Sequence, residues 1–301
     1  MYPVQQQHTH DLEGGGNSDS EFLPSRPIQT RVDGRLCAYI HQPERDTQPG
    51  IACIVVHQCT ALGGSAHTAE DIARAVCAQG LVTISFDLRG AGDSDGCCCM
   101  WPVPIISGCP EVSDVVAMAE WVKETMQRDT WIVAVSAGGA VGAGAIDALP
   151  CIRGYCSVAY TFGVVTTLLW APQTLRLLFT KKPKLLIQGD FDVFSSVLAF
   201  RCWTALMCRP RTAVLVPGAG HFDLEFSPLA QLDGRLIGAF IRNGGASLPA
   251  RLEDGRAIHL SAARCRPYVT SLCACGPLIF FLLLGVMVWI GVVLLPAPRT
   301  G

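Results

Sequence analysis

Charged side chains are scarce in this sequence, and their scarcity limits the partners it can attract. Of 301 residues, 23 are Lys or Arg and 25 are Asp or Glu, so the charged fraction is 16% and the formal net charge is −2. Proteins that bind nucleic acid concentrate Lys and Arg on one face, because phosphate contacts dominate their affinity. The charge balance therefore argues against nucleic acid as a partner.

The first residues also lack an apolar segment. Residues 1–26 are rich in Gln, Gly, Ser and Asn and contain no continuous apolar run. A secretory signal peptide requires such a run, so export is not expected. So polar a segment buries too little apolar surface to offset the entropy of ordering, and we expect residues 1–26 to form a disordered leader.

Nucleotide and metal motifs are missing as well. The segment Asp87–Gly96 is rich in glycine and follows an apolar run, but it lacks the Gly-x-Gly-x-x-Gly pattern of dinucleotide sites. The consecutive residues Cys97, Cys98 and Cys99 cannot all turn towards one tetrahedral metal ion without backbone strain. We therefore expect neither a cofactor nor a metal ion.

The most conspicuous feature that is present is an apolar segment near the end of the sequence. No charged residue occurs in residues 272–295, and 278–295 are continuously apolar apart from glycine. A spanning helix needs about 20 such residues, whereas a core helix of this composition would have to be enclosed on every side. The interpretation is a transmembrane helix at 272–295, with a linker at 247–271 and a short tail at 296–301.

Its orientation follows from the basic residues beside it. Arg251, Arg256, Arg264 and Arg266 precede the apolar segment, and only Arg299 follows it. Because positive residues favour the cytosolic side, we expect a single-pass C-terminal anchor with the preceding domain in the cytosol.

Two short apolar segments open the folded part of the sequence. Ile28–Val32 and Leu36–Ile40 are separated by Asp33-Gly34, a strong signal for a two-residue hairpin turn. We expect them to form an antiparallel edge.

From residue 51 the pattern changes to apolar runs that alternate with amphipathic segments. The runs IACIVV, LVTISF and WIVAVS are separated by AEDIARAVCAQG and EVSDVVAMAEWVKETM, and the alternation continues to a closing helix at about Pro228 to Ile241. Such alternation is typical of a mostly parallel sheet with helices on both faces. The prediction is one α/β domain over residues 27–246.

A serine stands where one of these runs meets a helix of small residues. Ser136 follows WIVAV and precedes Ala137-Gly138-Gly139, as in a nucleophile elbow. The sharp turn needs small residues two positions to either side, and here they are Ala134, in place of the usual glycine, and Gly138. The alternative is a serine that only caps a helix.

An acid and a histidine follow Ser136 in the chain order that this chemistry uses. A serine hydroxyl needs an imidazole to take its proton and a carboxylate to orient that imidazole. His221 comes directly after the last apolar run, and both Asp190 and Asp192 follow KLLIQG. His57, by contrast, is interpreted as a histidine that binds loop backbone.

The developing oxyanion needs two backbone N–H groups. Ala137, directly after the nucleophile, supplies one candidate. Cys59 and Gln58 are candidates for the second, because their loop follows the first parallel strand.

Together these segments resemble the α/β-hydrolase superfamily, and more narrowly a little-characterised group of serine hydrolases of plants and bacteria. The similarity covers about residues 51–241 and includes HQCTALGGS, FDLRGAGDSDG, EVSDVVAMAEWV and GDFDVFSSV. It implies the α/β-hydrolase fold and hydrolysis of an ester, thioester or amide through an acyl-enzyme. It also assigns the acid to Asp192, so that Ser136, Asp192 and His221 form the catalytic triad.

The expected function is therefore that of a membrane-tethered serine hydrolase. Only 23 residues lie between GYCSVAY and KLLIQG, which predicts a small cap and a compact or lipid-derived acyl substrate. Two alternatives stay open: an amidase or peptidase with the same triad, and a catalytically silent binding module anchored to a membrane.

Overall fold

A computed structural model describes residues 26–97, 110–163, 167 and 169–249. The eight strands are β1 (Ile28–Val32), β2 (Leu36–His41), β3 (Ile51–Val56), β4 (Val82–Phe86), β5 (Asp129–Val135), β6 (Ile152–Val158), β7 (Lys184–Gly189) and β8 (Arg211–Val216). The α-helices whose bounds lie within these residues are α1 (Glu70–Cys77), α2 (Pro110–Met126), α3 (Gly138–Ala145), α4 (Ala171–Phe179), α5 (Val197–Leu206) and α6 (Leu229–Arg242).

The predicted hairpin is present at one edge of the sheet. Strands β1 and β2 pair antiparallel, with Val32 opposite Leu36. Three residues connect the paired ends, Asp33 to Arg35, where the sequence predicted two. Asp33 and Gly34 have φ angles of +50° and +67°, as a type I′ turn requires. Strand β2 extends one residue beyond the predicted end, to His41.

All eight strands form a single sheet in the order β1-β2-β4-β3-β5-β6-β7-β8. Strand β2 joins β4 antiparallel, and every pairing from β4 to β8 is parallel. The predicted mostly parallel α/β sheet is therefore confirmed. Strand β5 lies well inside the sheet, and Ser136 directly follows its carboxyl end.

Alternate residues of the central strands supply two hydrophobic cores. In β3, Ile54 and Val56 face the core that includes residues of α2, α3 and α4. Cys53 and Val55 face the opposite core, which includes residues of α1 and α6. Because both faces are covered, the strands are apolar along their whole length, as a buried parallel sheet requires.

The nine-residue helix α4 lies between β6 and β7. It lies beside the helix that follows Ser136, since the Arg176 guanidinium donates to the Gly144 carbonyl over 2.9 Å. Within the described part of the chain, no helix is long and apolar enough to span a bilayer. The predicted transmembrane helix at 272–295 and most of the leader lie outside that part.

Candidate active site

The backbone at Ser136 makes a sharp turn between β5 and α3. Its φ angle is +54°, a conformation that residues other than glycine seldom adopt. The turn is held by a 2.9 Å hydrogen bond from the Ser136 N–H to the Val158 carbonyl of the neighbouring strand. Backbone strain of this kind is characteristic of functional sites, where the surrounding structure maintains it.

Small residues allow the turn to pack against its surroundings. A Cβ atom on Gly138 would lie 2.1 Å from the His57 carbonyl oxygen, so only glycine fits there. Ala134 is fully buried, and its methyl group faces Gly142 of α3, where an added Cβ would lie 3.1 Å away. The elbow therefore accommodates alanine at position 134 because the facing helix carries glycine.

The structure brings Ser136, His221 and Asp192 together in one hydrogen-bonded series. Ser136 Oγ lies 2.8 Å from Nε2 of His221, and Nδ1 of His221 lies 2.6 Å from Oδ2 of Asp192. The side chains of His221 and Asp192 are almost completely buried, and Ser136 is 8% exposed. This is the arrangement in which an imidazole can remove the serine proton.

Several donors hold the Asp192 carboxylate in place. Its Oδ1 accepts the N–H groups of Phe194 and Ser195 over 2.7 and 2.8 Å, and its Oδ2 also accepts from the Gln188 side chain. Asp190, the other acid in this segment, instead accepts the Gly218 N–H over 2.7 Å and is exposed. Of the two acids that the sequence left open, only Asp192 contacts His221.

His57 makes two hydrogen bonds to backbone. Its Nδ1 donates to the Gln58 carbonyl over 2.7 Å, and its Nε2 accepts the Leu88 N–H over 3.0 Å. Burial lowers the pKa of His57, which favours the neutral ring that an accepting Nε2 requires. The interpretation of His57 as a backbone-binding histidine is thus confirmed.

The loop after β3 meets the elbow where the oxyanion is expected. His57 lies against Gly138, so the N–H groups of Gln58 and Cys59 follow immediately after that contact. Gly64, at the end of the loop, packs against its beginning, since a Cβ there would lie 2.4 Å from the Gln58 carbonyl oxygen. Ala137 precedes α3 on the other side.

Sequence reasoning missed a second buried acid beside His221. Glu225 is 3% exposed, and its Oε1 lies 4.0 Å from Nε2 of His221. Its Oε2 accepts from the Gln58 side chain over 2.7 Å. An acid four residues after the histidine, between Leu224 and Phe226, was the available signal, but nothing in the sequence indicated that it points inward.

Exposed apolar side chains lie on the same chain segments as the site residues, and we call this group the apolar rim. We call the loop after β3, residues 57–64, the oxyanion loop. Among the described residues, seven of the ten large apolar side chains with high exposure lie on this loop or on the segments that carry Asp192 and His221. The rim consists of Leu62, Phe191, Val193, Phe194, Leu198, Phe222 and Phe226. The rings of Phe194 and Phe222 stand edge-on to the His221 imidazole, at centroid distances of 4.5 and 5.1 Å.

Two motifs behind the family resemblance have structural roles. Asp87 accepts the N–H groups of Ala66 and Asp93 over 2.7 and 3.1 Å, so a carboxylate organises the glycine-rich loop. The Arg89 guanidinium binds both carboxylate oxygens of Asp114 on α2. Within the described residues, no cluster of His, Cys, Asp or Glu has the geometry of a metal site.

Comparison with known proteins identifies the fold. No family model and no curated protein sequence matches the chain. An α/β serine hydrolase homologue from Coxiella burnetii is 24% identical, over 72% of this chain and 99% of its own, with a TM-score of 0.57. An α/β serine hydrolase without a lid from Xanthomonas campestris is 25% identical, over 75% and 99%, also with a TM-score of 0.57.

A third solved structure, the esterase domain of a Rhodothermus marinus protein, is 17% identical, over 72% of this chain and 98% of its own, with a TM-score of 0.55. Together with the strand order and the elbow, these similarities show that the chain has the predicted α/β-hydrolase fold. Membership of the narrower plant and bacterial group stays a prediction.

Proposed function

We propose that this chain, which has the α/β-hydrolase fold, is a serine hydrolase that cleaves an ester or thioester bond through an acyl-enzyme intermediate. One observation carries the proposal: Ser136, His221 and Asp192 form a buried hydrogen-bonded series behind a strained elbow. Neighbouring folds described as serine hydrolases and esterases support it.

In the first half of the reaction, Nε2 of His221 takes the proton of Ser136 Oγ as this oxygen attacks the substrate carbonyl carbon. Asp192 accepts the Nδ1 proton, which keeps the correct tautomer and stabilises the imidazolium. The imidazolium then protonates the leaving group, and the carbonyl bond re-forms as the ester or thioester bond breaks. In the second half, His221 activates water to release the acyl group from Ser136.

The negative charge on the carbonyl oxygen needs two N–H donors. We assign these to Ala137 and Cys59. The hydrogen bond from His57 holds the Gln58 carbonyl. In a trans peptide the next N–H points the opposite way, so the Cys59 N–H is directed away from His57. The hydrogen bond from His57 thus fixes the orientation of the Cys59 N–H. It does not orient the N–H of Gln58, which belongs to the peptide group before it, so Cys59 is the better candidate.

The apolar rim supports an acyl substrate with a substantial apolar part. Phe191 and Val193 are 71% and 81% exposed beside the proposed acid. Phe194 and Phe222 also contact the His221 ring, and exposed apolar surface at a site marks a place where an apolar group binds. A lipid-derived acyl group has this chemistry.

We further propose that residues 272–295 tether the enzyme to a membrane, with the catalytic domain in the cytosol. A tether would concentrate the enzyme where lipid-derived substrates occur. The full chain should then resist extraction from membranes by alkaline carbonate, whereas Leu284→Arg combined with Val288→Arg should release it. Extraction of the wild type under these conditions would contradict the tether.

The catalytic proposal is tested by covalent labelling of the full chain with a fluorophosphonate. Wild type should be labelled, whereas Ser136→Ala and His221→Ala should not. Asp192→Asn should react about 10⁴-fold more slowly, because the imidazole loses its tautomer. Asp190→Asn is the matched control and should react like wild type, since Asn can still accept the Gly218 N–H.

The alternatives give different results. Folded wild type that is not labelled would point to a membrane-anchored binding module. If labelling depends on the triad, p-nitrophenyl acyl esters and peptide anilides then separate an esterase from an amidase or peptidase. We expect turnover of the esters.

A further inference from the structure

The proposed triad does not account for Glu225, a carboxylate enclosed beside it. Glu225 ends a short 3₁₀ turn (Asp223–Glu225) that follows His221, and its side chain is 4% exposed. The Oε1 atom has no hydrogen-bond partner within the described residues, although it is buried. Burying a carboxylate oxygen without a hydrogen-bond partner costs free energy, and this cost is consistent with a functional role for Glu225.

Its charge faces the catalytic base. Oε1 lies 4.0 Å from Nε2 of His221, the atom that lies 2.8 Å from Ser136 Oγ. Asp192 binds the opposite nitrogen, Nδ1. The imidazole therefore has a carboxylate on each side, and both favour the imidazolium that forms when Ser136 loses its proton.

The other oxygen of Glu225 binds the oxyanion loop. Oε2 accepts from Nε2 of Gln58, and the amide oxygen of Gln58 accepts from the Thr68 hydroxyl over 2.7 Å. Gln58 directly precedes Cys59, the proposed oxyanion donor. One carboxylate thus joins the segment of the base to the segment that receives the substrate oxygen.

We propose that Glu225 is a positioning residue that supports His221 through its charge and holds the oxyanion loop through Gln58. The inference rests on the proposed hydrolase function. Glu225 acts through these two neighbours and forms no bond to the substrate.

The charged groups around Glu225 determine the direction of its pH response. Burial raises the pKa of Glu225, the hydrogen bond from Gln58 and the charge of His221 lower it, and Asp192 raises it. A carboxylate beside the imidazole favours its protonated form. Removing that charge therefore takes away one of the two carboxylates that stabilise the imidazolium formed during the reaction.

The experiment measures the rate of fluorophosphonate labelling of the full chain against pH. In Glu225→Gln the amide oxygen still accepts from Gln58, so this change removes mainly the charge. We expect the acid limb of its rate profile to move to lower pH and its plateau rate to fall about tenfold. Gln58→Leu breaks the link to the oxyanion loop but retains the carboxyl group of Glu225, so its plateau rate should fall with a smaller shift of the acid limb than in Glu225→Gln.

The controls separate a site effect from a folding effect. Asp190→Asn removes an exposed carboxylate of the neighbouring loop and should leave both limb and plateau unchanged. Thermal unfolding of each variant shows whether it is folded. If wild type reacts and Glu225→Gln gives the same profile, this inference is wrong and the hydrolase proposal stands. If folded wild type does not react, both are wrong.

Discussion

At the scale of single residues, Gly138 and Ser136 depend on each other. The positive φ angle at Ser136 is maintained because α3 begins directly against the loop after β3, and this contact leaves no space for a side chain at position 138. The same contact brings that loop close to Ala137. Because Gly138 has no side chain, the chain can turn sharply at Ser136 and the loop after β3 can lie close to the elbow.

We predict that Gly138→Ala abolishes most of the fluorophosphonate reactivity. The new Cβ would lie 2.1 Å from the His57 carbonyl oxygen, which is backbone and has to move. Loss of one oxyanion donor costs about 10²- to 10³-fold in rate, and forced repacking costs about 1–3 kcal/mol of stability. Labelling kinetics and thermal unfolding measure these two effects.

Gly144→Ala is the control for that prediction. Its Cβ would lie 2.5 Å from a Val112 methyl group, so it also crowds α3, but away from the elbow. We expect it to lower the melting temperature and retain labelling. Full reactivity of Gly138→Ala would show that the elbow does not position the oxyanion loop.

At the scale of elements, the segments after β3, β7 and β8 supply the proposed oxyanion donor Cys59, the acid Asp192 and the base His221. Because β3, β7 and β8 run parallel, their carboxyl ends lie at one edge of the sheet, which is where open α/β sheets bind ligands. The same segments also carry the apolar rim. The same three segments therefore carry both proposed catalytic groups and exposed apolar surface.

We predict that the rim sets the preference for acyl chain length. Phe191→Ser combined with Val193→Ser should lower kcat/KM for long-chain p-nitrophenyl esters about tenfold or more, because each side chain buries apolar surface on a long acyl group. Short-chain esters and fluorophosphonate labelling should change little. Steady-state kinetics across a chain-length series makes the comparison.

Ile28→Ser provides the control, since Ile28 is 57% exposed on the outermost strand of the sheet. It should leave the chain-length series unchanged. If the double rim variant keeps the wild-type preference for long chains, the rim does not bind the acyl group.

At the scale of the whole molecule, a buried acid that belongs to neither the triad nor its surroundings bears on the stability of the fold. Asp233 of α6 is fully buried, and neither of its carboxylate oxygens has a hydrogen-bond partner among the described residues. Burial raises the pKa of Asp233 well above its usual value. The folded state therefore binds this proton more tightly than the unfolded state does.

It follows that the free energy of unfolding should fall as the pH rises from about 4 towards the raised pKa of Asp233, because the folded state binds more protons in that range. Asp233→Asn cannot ionise, so it should remove this part of the fall and be more stable than wild type at pH 8 by about 1 kcal/mol or more. Urea unfolding at pH 5.5 and pH 8 measures the difference. If the free energy of unfolding changes equally between these two pH values in both proteins, the raised pKa of Asp233 is contradicted.

Local patterns in the sequence were sufficient to predict the α/β alternation, the edge hairpin, Ser136, His221 and the pair of candidate acids Asp190 and Asp192. Periodicity, turn residues and chain order are local signals, so they can be read without coordinates. The transmembrane helix at 272–295 rests on the same kind of signal and stays a prediction.

The remaining features depend on contacts between segments that are far apart in the chain. Asp190 and Asp192 are two residues apart and chemically identical, and the choice between them depends on which one contacts a histidine 29 residues further along the chain. Gly142 compensates for Ala134, and Glu225 connects His221 to Gln58 over a sequence separation of 167 residues. These relations arise from packing between distant segments, which local patterns do not record.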